Sequence, residues 1–208
     1  MAGNALRCMA KYLHDRGFAG GDEIAIETAG GVKTVQVYTT DGRVTSACVH
    51  MGKASFDMAP ETVALPGGRF IDYPAEIAGE MRRITCVDMG NPHCVVFCER
   101  VDAVDVSGVG PLFENAPIFP ERINTEFIRV VNPRTIKMRV WERGSGETMA
   151  CGTGACAAAA AAVENGLCDP DCDISVRCAG GELIVHYTPD GVTLTGDTRL
   201  VYTGETEY

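Results

Sequence analysis

The residues best suited to chemistry lie in Glu142-Arg143-Gly144-Ser145-Gly146-Glu147-Thr148-Met149-Ala150-Cys151-Gly152-Thr153-Gly154. A cysteine here follows a charged, glycine-broken loop and precedes six alanines, Ala157 to Ala162. That alanine run favours helix, and Asn165-Gly166 supplies its stop. Cys151 therefore falls at a helix N-terminus. Unpaired backbone N–H groups and the positive end of the helix dipole are expected there to lower a thiol pKa, and they can hold a carboxylate. Such a thiol acts as a base or a nucleophile. The plainer alternative for any cysteine is a small core residue, and the flanking glycines and the helix start weigh against it here.

Other elements must position this cysteine. Leu6, Met9, Ala10 and Leu13 follow helical spacing from Asn4, with Gly17 as a stop, and Glu23 to Glu27 alternates as a strand. Ala29-Gly30-Gly31 turns into Val32 to Tyr38, and Asp41-Gly42 signals a hairpin into Val44 to Val49. Met51 to Glu80 reads as linker and loop, rich in Pro, Gly and Ala. Strands are expected at Ile84 to Val87, Val95 to Glu99, Thr125 to Val131, Ile136 to Trp141, Ile174 to Val176, Leu183 to Tyr187 and Arg199 to Thr203, with a short helix near Ser107 to Leu112. The Met89-Gly90-Asn91-Pro92-His93 turn separates the first two of these strands.

A long-period repeat organises the chain. Met1-Ala2-Gly3-Asn4, its helix, Gly17, Ile24-Ala25-Ile26, Ala29-Gly30-Gly31 and Tyr38-Thr39-Thr40-Asp41-Gly42 recur in order. The second copy is Ala150-Cys151-Gly152-Thr153, its helix, Gly166, Ile174-Ser175-Val176, Ala179-Gly180-Gly181 and Tyr187-Thr188-Pro189-Asp190-Gly191, offset by 149 or 150 residues. Two such units can pack about a pseudo-twofold axis with both helix N-termini facing one cleft. The counterpart of Cys151 is then Ala2. The second unit has about a hundred residues of strands before its cysteine, so the chain is expected to begin inside its first lobe. The expected domains are a partial N-terminal lobe, 1–48 with 196–208, and a C-terminal lobe, 49–195.

Composition narrows the partners. The 208 residues are 46% hydrophobic and 22% charged, with a formal net charge of -10, which argues against nucleic acid or an anionic membrane as partner. No apolar run reaches the roughly 20 residues of a membrane span, and no signal-like segment opens the chain, so the cytoplasm is the expected location. The ten cysteines are then reduced thiols. Cys94/Cys98 and Cys168/Cys172 are spaced C-x3-C without the spacing of a zinc site, so no metal is expected.

A pseudo-symmetric cleft with thiols on its two sides suits removal of a proton from one face of a carbon and its return to the other. The carbon acid of an amino acid is weak, and two helix N-termini at its carboxylate would stabilise the carbanion-like state. Four motifs spanning Met1 to about Gly196 resemble the diaminopimelate epimerase family. They are Gly3-Asn4-Ala5-Leu6-Arg7-Cys8, Met89-Gly90-Asn91-Pro92-His93-Cys94, Glu121-Arg122-Ile123-Asn124-Thr125-Glu126-Phe127, and Trp141 to Thr148 running into Ala150-Cys151-Gly152-Thr153-Gly154-Ala155-Cys156.

The resemblance implies an α+β fold of two pseudo-symmetric lobes, each a curved antiparallel sheet around a central helix, the first incomplete. It implies cofactor-independent epimerisation of LL- to meso-diaminopimelate in lysine and peptidoglycan precursor synthesis. Cys151 matches an acid/base cysteine, Glu142 a group at the reacting amine, and His93 a supporting residue. Gly3, Asn4, Gly152 and Thr153 match the carboxylate cradle, while Asn91, Asn124 and Arg143 match groups holding the distant amino-acid end. Each has a plainer reading: Asn91-Pro92 as a turn, Asn124 as a strand-end cap, His93 as packing, and Glu142 with Arg143 as a surface ion pair. Cys8 and Cys156 read as core thiols within helices.

Two departures bear on activity. Ala2 stands where the family has its first cysteine, and the family's N-terminal strands have no counterpart in this sequence. A two-base inversion cannot run unchanged with a methyl group in that place. The alternatives are an inactive or partial relative that only binds an amino acid or a partner chain, and a related racemase or isomerase. Apolar surface on the incomplete lobe would promote a homodimer.

Overall fold

In the computed structural model, residues 3–28 and 31–207 are described. Ala2 and the Ala29-Gly30 part of the first turn lie outside these residues. Among the described residues there are three α-helices: α1 (Gly3–Asp15), α2 (Val106–Glu114) and α3 (Gly152–Glu164). The strands are β1 (Glu23–Thr28), β2 (Gly31–Thr40), β3 (Arg43–Gly52), β4 (Tyr73–Ile77), β5 (Glu80–Asp88), β6 (Pro92–Phe97), β7 (Asn124–Asn132), β8 (Thr135–Glu142), β9 (Gly146–Thr148), β10 (Asp173–Cys178), β11 (Gly181–Thr188) and β12 (Gly191–Asp197). They form one path in the order β1-β2-β3-β12-β11-β10-β8-β7-β6-β5-β4, with β9 added on β8. The fold is α+β. Pairing is antiparallel except where β6 meets β7 and β8 meets β10.

The repeat is present at the level of register. Ile24 pairs with Val35 and Thr28 with Gly31, while Ile174 pairs with Val185 and Cys178 with Gly181. Each helix ends in the same way. Gly17 (φ 73°) donates to His14 and Phe18 to Leu13, as Gly166 (φ 70°) donates to Val163 and Leu167 to Ala162. The left-handed glycine lets the chain double back and satisfy the last helical carbonyls. The third strands of the two units, β3 and β12, pair antiparallel, with Val49 opposite Leu194, so the units meet at a pseudo-twofold.

One core runs through both units and wraps α3, taking in Leu6 and Ala10 from α1, Val35 and Val49 from the first hairpin, and Ala155 to Ala162. A second core holds Phe70, Ile84, Phe113, Phe119 and Phe127 beneath α2. Asp105 caps α2 by accepting from the Gly108 N–H at 3.1 Å. Gly110 lets α2 lie on the Trp141 indole, where a Cβ would come within 2.4 Å.

Several sequence expectations change here. The 51–80 segment is not a plain linker, because Phe56, Met58, Val63 and Phe70 are buried in the cores and β4 pairs with β5. The expected strand from Arg199 to Thr203 is absent; its residues are exposed and make no sheet pairing, with Val201 88% exposed. The terminal strand is β12, where Val192 and Leu194 turn inward. Cys8 is exposed rather than core, because α1 buries only the side carrying Gly3, Leu6, Arg7 and Ala10. Cys156 is buried as expected.

Candidate active site

Strand directions gather most of the expected residues at one end of the sheet. β6 and β7 run parallel with His93 opposite Asn124, so both strands start at that end. β8 runs antiparallel to β7 and places Trp141 opposite Thr125, so its last residue Glu142 and the following Arg143 arrive there too. Gly90 (φ 88°) turns the chain so that Asn91 leads into β6 at the same end.

Internal hydrogen bonds lock these loops together. Asn124 Nδ2 donates to the Pro92 carbonyl at 2.8 Å, while its Oδ1 accepts from the Arg143 N–H at 2.9 Å. One amide thus ties the β5–β6 turn to the β8–β9 loop. Arg143 Nη1 donates to the Glu121 carbonyl at 2.9 Å. The sequence reading gave Glu114 no role, yet it is buried and accepts from Gly144 N–H at 2.9 Å, Trp141 Nε1 at 2.7 Å and Arg122 Nη1 at 3.1 Å. It fixes the loop that carries Glu142 and Arg143 from behind. Thr148 Oγ1 donates to Glu142 Oε1 at 2.5 Å, which holds the other side of that loop.

Cys151 is the N-cap of α3, in extended backbone conformation (φ -122°, ψ 121°). Its Sγ accepts from the Gly154 N–H at 3.4 Å and lies 3.5 Å from Thr153 Oγ1, which in turn accepts from Asn91 Nδ2 at 3.3 Å. The thiol is therefore linked through Thr153 to the β5–β6 turn. The Gly152 and Thr153 N–H groups, first in the helix, have no carbonyl four residues back within the helix to bond.

The two helix starts converge. A Cβ on Gly3 would lie 3.1 Å from Leu194 Cδ2, and so would a Cβ on Gly152, which would also lie 3.5 Å from Asn4 Oδ1. The N-termini of α1 and α3 therefore flank the same β12 leucine, with Asn4 exposed beside them. The structure brings Gly3, Asn4, Gly152, Thr153, Cys151 and Asn91 to one place, with Asn124, Arg143, Glu142 and His93 on the loops and strand starts around it.

The electrostatics of the thiol differ from the sequence expectation. Cys151 is only 6% exposed, and burial followed by the charge of Glu126 and that of Glu142 pushes its pKa up to about 12. The hydrogen bonds from Thr153 and Gly154 favour the thiolate but are outweighed. The thiol is thus raised where a lowered pKa was expected: loss of hydration and two carboxylates outweigh the hydrogen bonds from Thr153 and Gly154. The Glu126 contribution could not be read from spacing, because it depends on β7 packing against α3.

All ten cysteines are free thiols. Among the described residues no three His, Cys, Asp or Glu side chains gather to hold a metal ion, and no helix is long and apolar enough to cross a membrane.

The fold is similar to that of solved racemase-like proteins. A probable proline racemase from Agrobacterium radiobacter K84 aligns with a TM-score of 0.69 over 95% of this chain at 15% identity, and the chain spans 65% of that protein, under two thirds of its length. A phenazine biosynthesis protein of the PhzF family from Bacillus anthracis aligns with a TM-score of 0.66 over 94% of the chain and 72% of its own, at 16% identity. Sequence narrows the class further. The family model described as diaminopimelate epimerase matches residues 85–207. The diaminopimelate epimerase of Pelotomaculum thermopropionicum is 46% identical over 100% of this chain and 74% of its own length, and that of Geobacillus kaustophilus is 43% identical over 97% and 70%. The chain belongs to the diaminopimelate epimerase family, and by that membership it is an isomerase of the epimerase kind.

Proposed function

We propose that this chain binds diaminopimelate in the cleft between the α1 and α3 N-termini and moves the α-carbon proton with Cys151, without a cofactor. The observation that carries this reading is the convergence of two helix starts on Leu194 with a thiol capping one of them. The α-carboxylate would sit on the N–H groups of Gly3, Asn4, Gly152 and Thr153, where helix termini favour an anion and stabilise the charge that develops as the proton leaves. Glu142 would accept from the reacting ammonium. Asn91 and Arg143 would hold the second amino-acid end, and Asn124 would keep Arg143 in register.

Inversion needs a proton carrier on each face of the carbon, and Ala2 offers none. Cys151 alone removes a proton and returns one from solvent to the same face, which exchanges hydrogen without inverting the centre. Because the thiol is protonated at neutral pH in the empty cleft, the rate is expected to rise with pH by about tenfold per unit at most while the thiolate is the minor form. Epimerisation of LL- to meso-diaminopimelate, the cytoplasmic step of lysine and peptidoglycan precursor synthesis, would require a second proton carrier in place of Ala2. A second reading, favoured by Ala2 alone, is a chain that binds the amino acid without turning it over.

Incubation with diaminopimelate in heavy water separates the readings. Deuterium at the α carbon, lost on Cys151→Ala, supports proton transfer. Saturable binding without exchange supports the second reading, and neither binding nor exchange removes both.

A further inference from the structure

Glu126 is a buried group beside the proposed chemistry that has no assigned role. It and His93 are both 0% exposed, and His93 Nδ1 lies 2.7 Å from Glu126 Oε1. Glu126 Oε2 and His93 Nε2 are buried without a partner among the described residues. The same carboxylate lies against the first turn of α3: a Cβ built on Gly154 would fall 2.5 Å from Glu126 Oε1 and 3.1 Å from Cys151 Cβ. Only a glycine at 154 lets β7 bring a carboxylate so near the backbone N–H that caps the Cys151 sulfur at 3.4 Å.

We propose that Glu126 is a positioning residue that couples His93 to Cys151, bonding the imidazole through Oε1 and packing against the helix turn that caps the thiol. The proposal rests on the reading of Cys151 as the proton carrier. A carboxylate oxygen accepts, so Nδ1 donates to it and Nε2 is left without a partner among the described residues. A buried carboxylate with one unpartnered oxygen is costly to keep unless it serves another group. Its negative charge opposes ionisation of Cys151, which makes the thiolate, once formed, a stronger base toward the α-carbon proton.

The groups facing Cys151 come from several elements. Glu126 faces it from β7 and Glu142 from β8, and Cys156 lies on its own helix, where Arg7 of α1 acts on Cys156. Of these, Glu126 is the larger charged influence on Cys151. It is also the one that holds His93.

The test uses the full chain with Glu126→Gln, which keeps the shape and removes the charge. Alkylation of Cys151 by iodoacetamide, followed by peptide mass spectrometry across pH, reads thiolate formation without reference to turnover. The expected result is a profile moved to lower pH by about one unit, or about tenfold faster labelling at a fixed pH. The Nδ1 signal of His93 in nitrogen-15 spectra is expected to change in the same variant. Glu126→Asp keeps the charge and shortens the reach. Its labelling profile should stay with the parent while the His93 signal shifts, and this variant keeps the question open to measurement if Glu126→Gln does not fold. Superimposed profiles for the parent and Glu126→Gln would overturn the proposal, as would an Asp profile displaced as far as that of Gln. Failure of the parent to exchange substrate hydrogen would instead count against the proposed function and leave the labelling comparison readable.

Discussion

The two helix-and-hairpin units share a frame and differ in what surrounds their helices. α1 and α3 are each 13 residues long, start at Gly3 and Gly152 and end at equivalent glycines, and their hairpins pair in equivalent register. α3 is buried from Gly152 through Ala162, whereas α1 buries only Gly3, Leu6, Arg7 and Ala10. Strands β5 to β8 and β10 to β12 all pack around α3; α1 rests on β1 to β3. Its outer face, with Tyr12 56% exposed, borders a groove of about 750 Å³ shared with Leu200 and Tyr202. The alanines of α3 follow from its position, since a helix enclosed on every side must be thin. The amphipathic pattern of α1 follows from a single covered side. The frame is set by turn glycines and strand register, and the helix faces by the cover around them.

Exchanging residues between the two helices is expected to have the largest effect. Ala158 is fully buried in α3 and its counterpart Met9 is 47% exposed in α1. Ala158→Met should overpack the core and cost about 1–3 kcal/mol or more in urea denaturation. The next effect sits at the helix starts. Gly154→Ala places a methyl group 2.5 Å from Glu126 Oε1 and should cost about 1–2 kcal/mol despite the better helix propensity of alanine. At the equivalent position α1 already carries the exposed Ala5 without conflict. A stabilised Gly154→Ala would show that the carboxylate does not crowd this turn.

Thiols at the start of α3, in the loop after it and in β10 supply a smaller, pH-dependent effect. Cys151 is raised to about 12, and Cys168 and Cys178 to about 11, by burial first in each case. An unfolded thiol ionises near pH 9 while these stay protonated, so above pH 9 the unfolded chain binds fewer protons than the folded one. Stability is fully present below pH 9 and falls as pH rises towards about 12, which thermal melts across that window would show. The smallest effect belongs to α1: Met9→Ala is expected to stay within about 0.5 kcal/mol of the parent. A large loss there would mean that this face is covered in solution.

The sequence and the structure agree best where local signals and the repeat act together. The start and stop of each helix and the Asp41-Gly42 hairpin are local, and so is the placement of Cys151 at a helix cap. β12 escaped although Asp190-Gly191 mirrors Asp41-Gly42, which is followed by β3; one further element of the repeat leads directly to Gly191–Asp197. β4 is a short edge strand with Pro74 within it, so its signal is weak and its pairing with β5 carries the information. The roles of Glu114 and Glu126 depend on contacts across 30 and 33 residues, to Gly144 and His93, which no spacing rule reaches. The thiol pKa expectation failed for the same reason, since Glu126 reaches Cys151 only through the packing of β7 on α3.

Cys151 is proposed to move the α-carbon proton without a second thiol, because the sequence has alanine at position 2, the repeat counterpart of Cys151. Deuterium incorporation at the α carbon from LL- and from meso-diaminopimelate, each measured separately in heavy water, tests it most directly. Exchange from one of the two isomers only, without inversion and dependent on Cys151, is the expected result. Equal exchange from both, or exchange that survives Cys151→Ala, would contradict it.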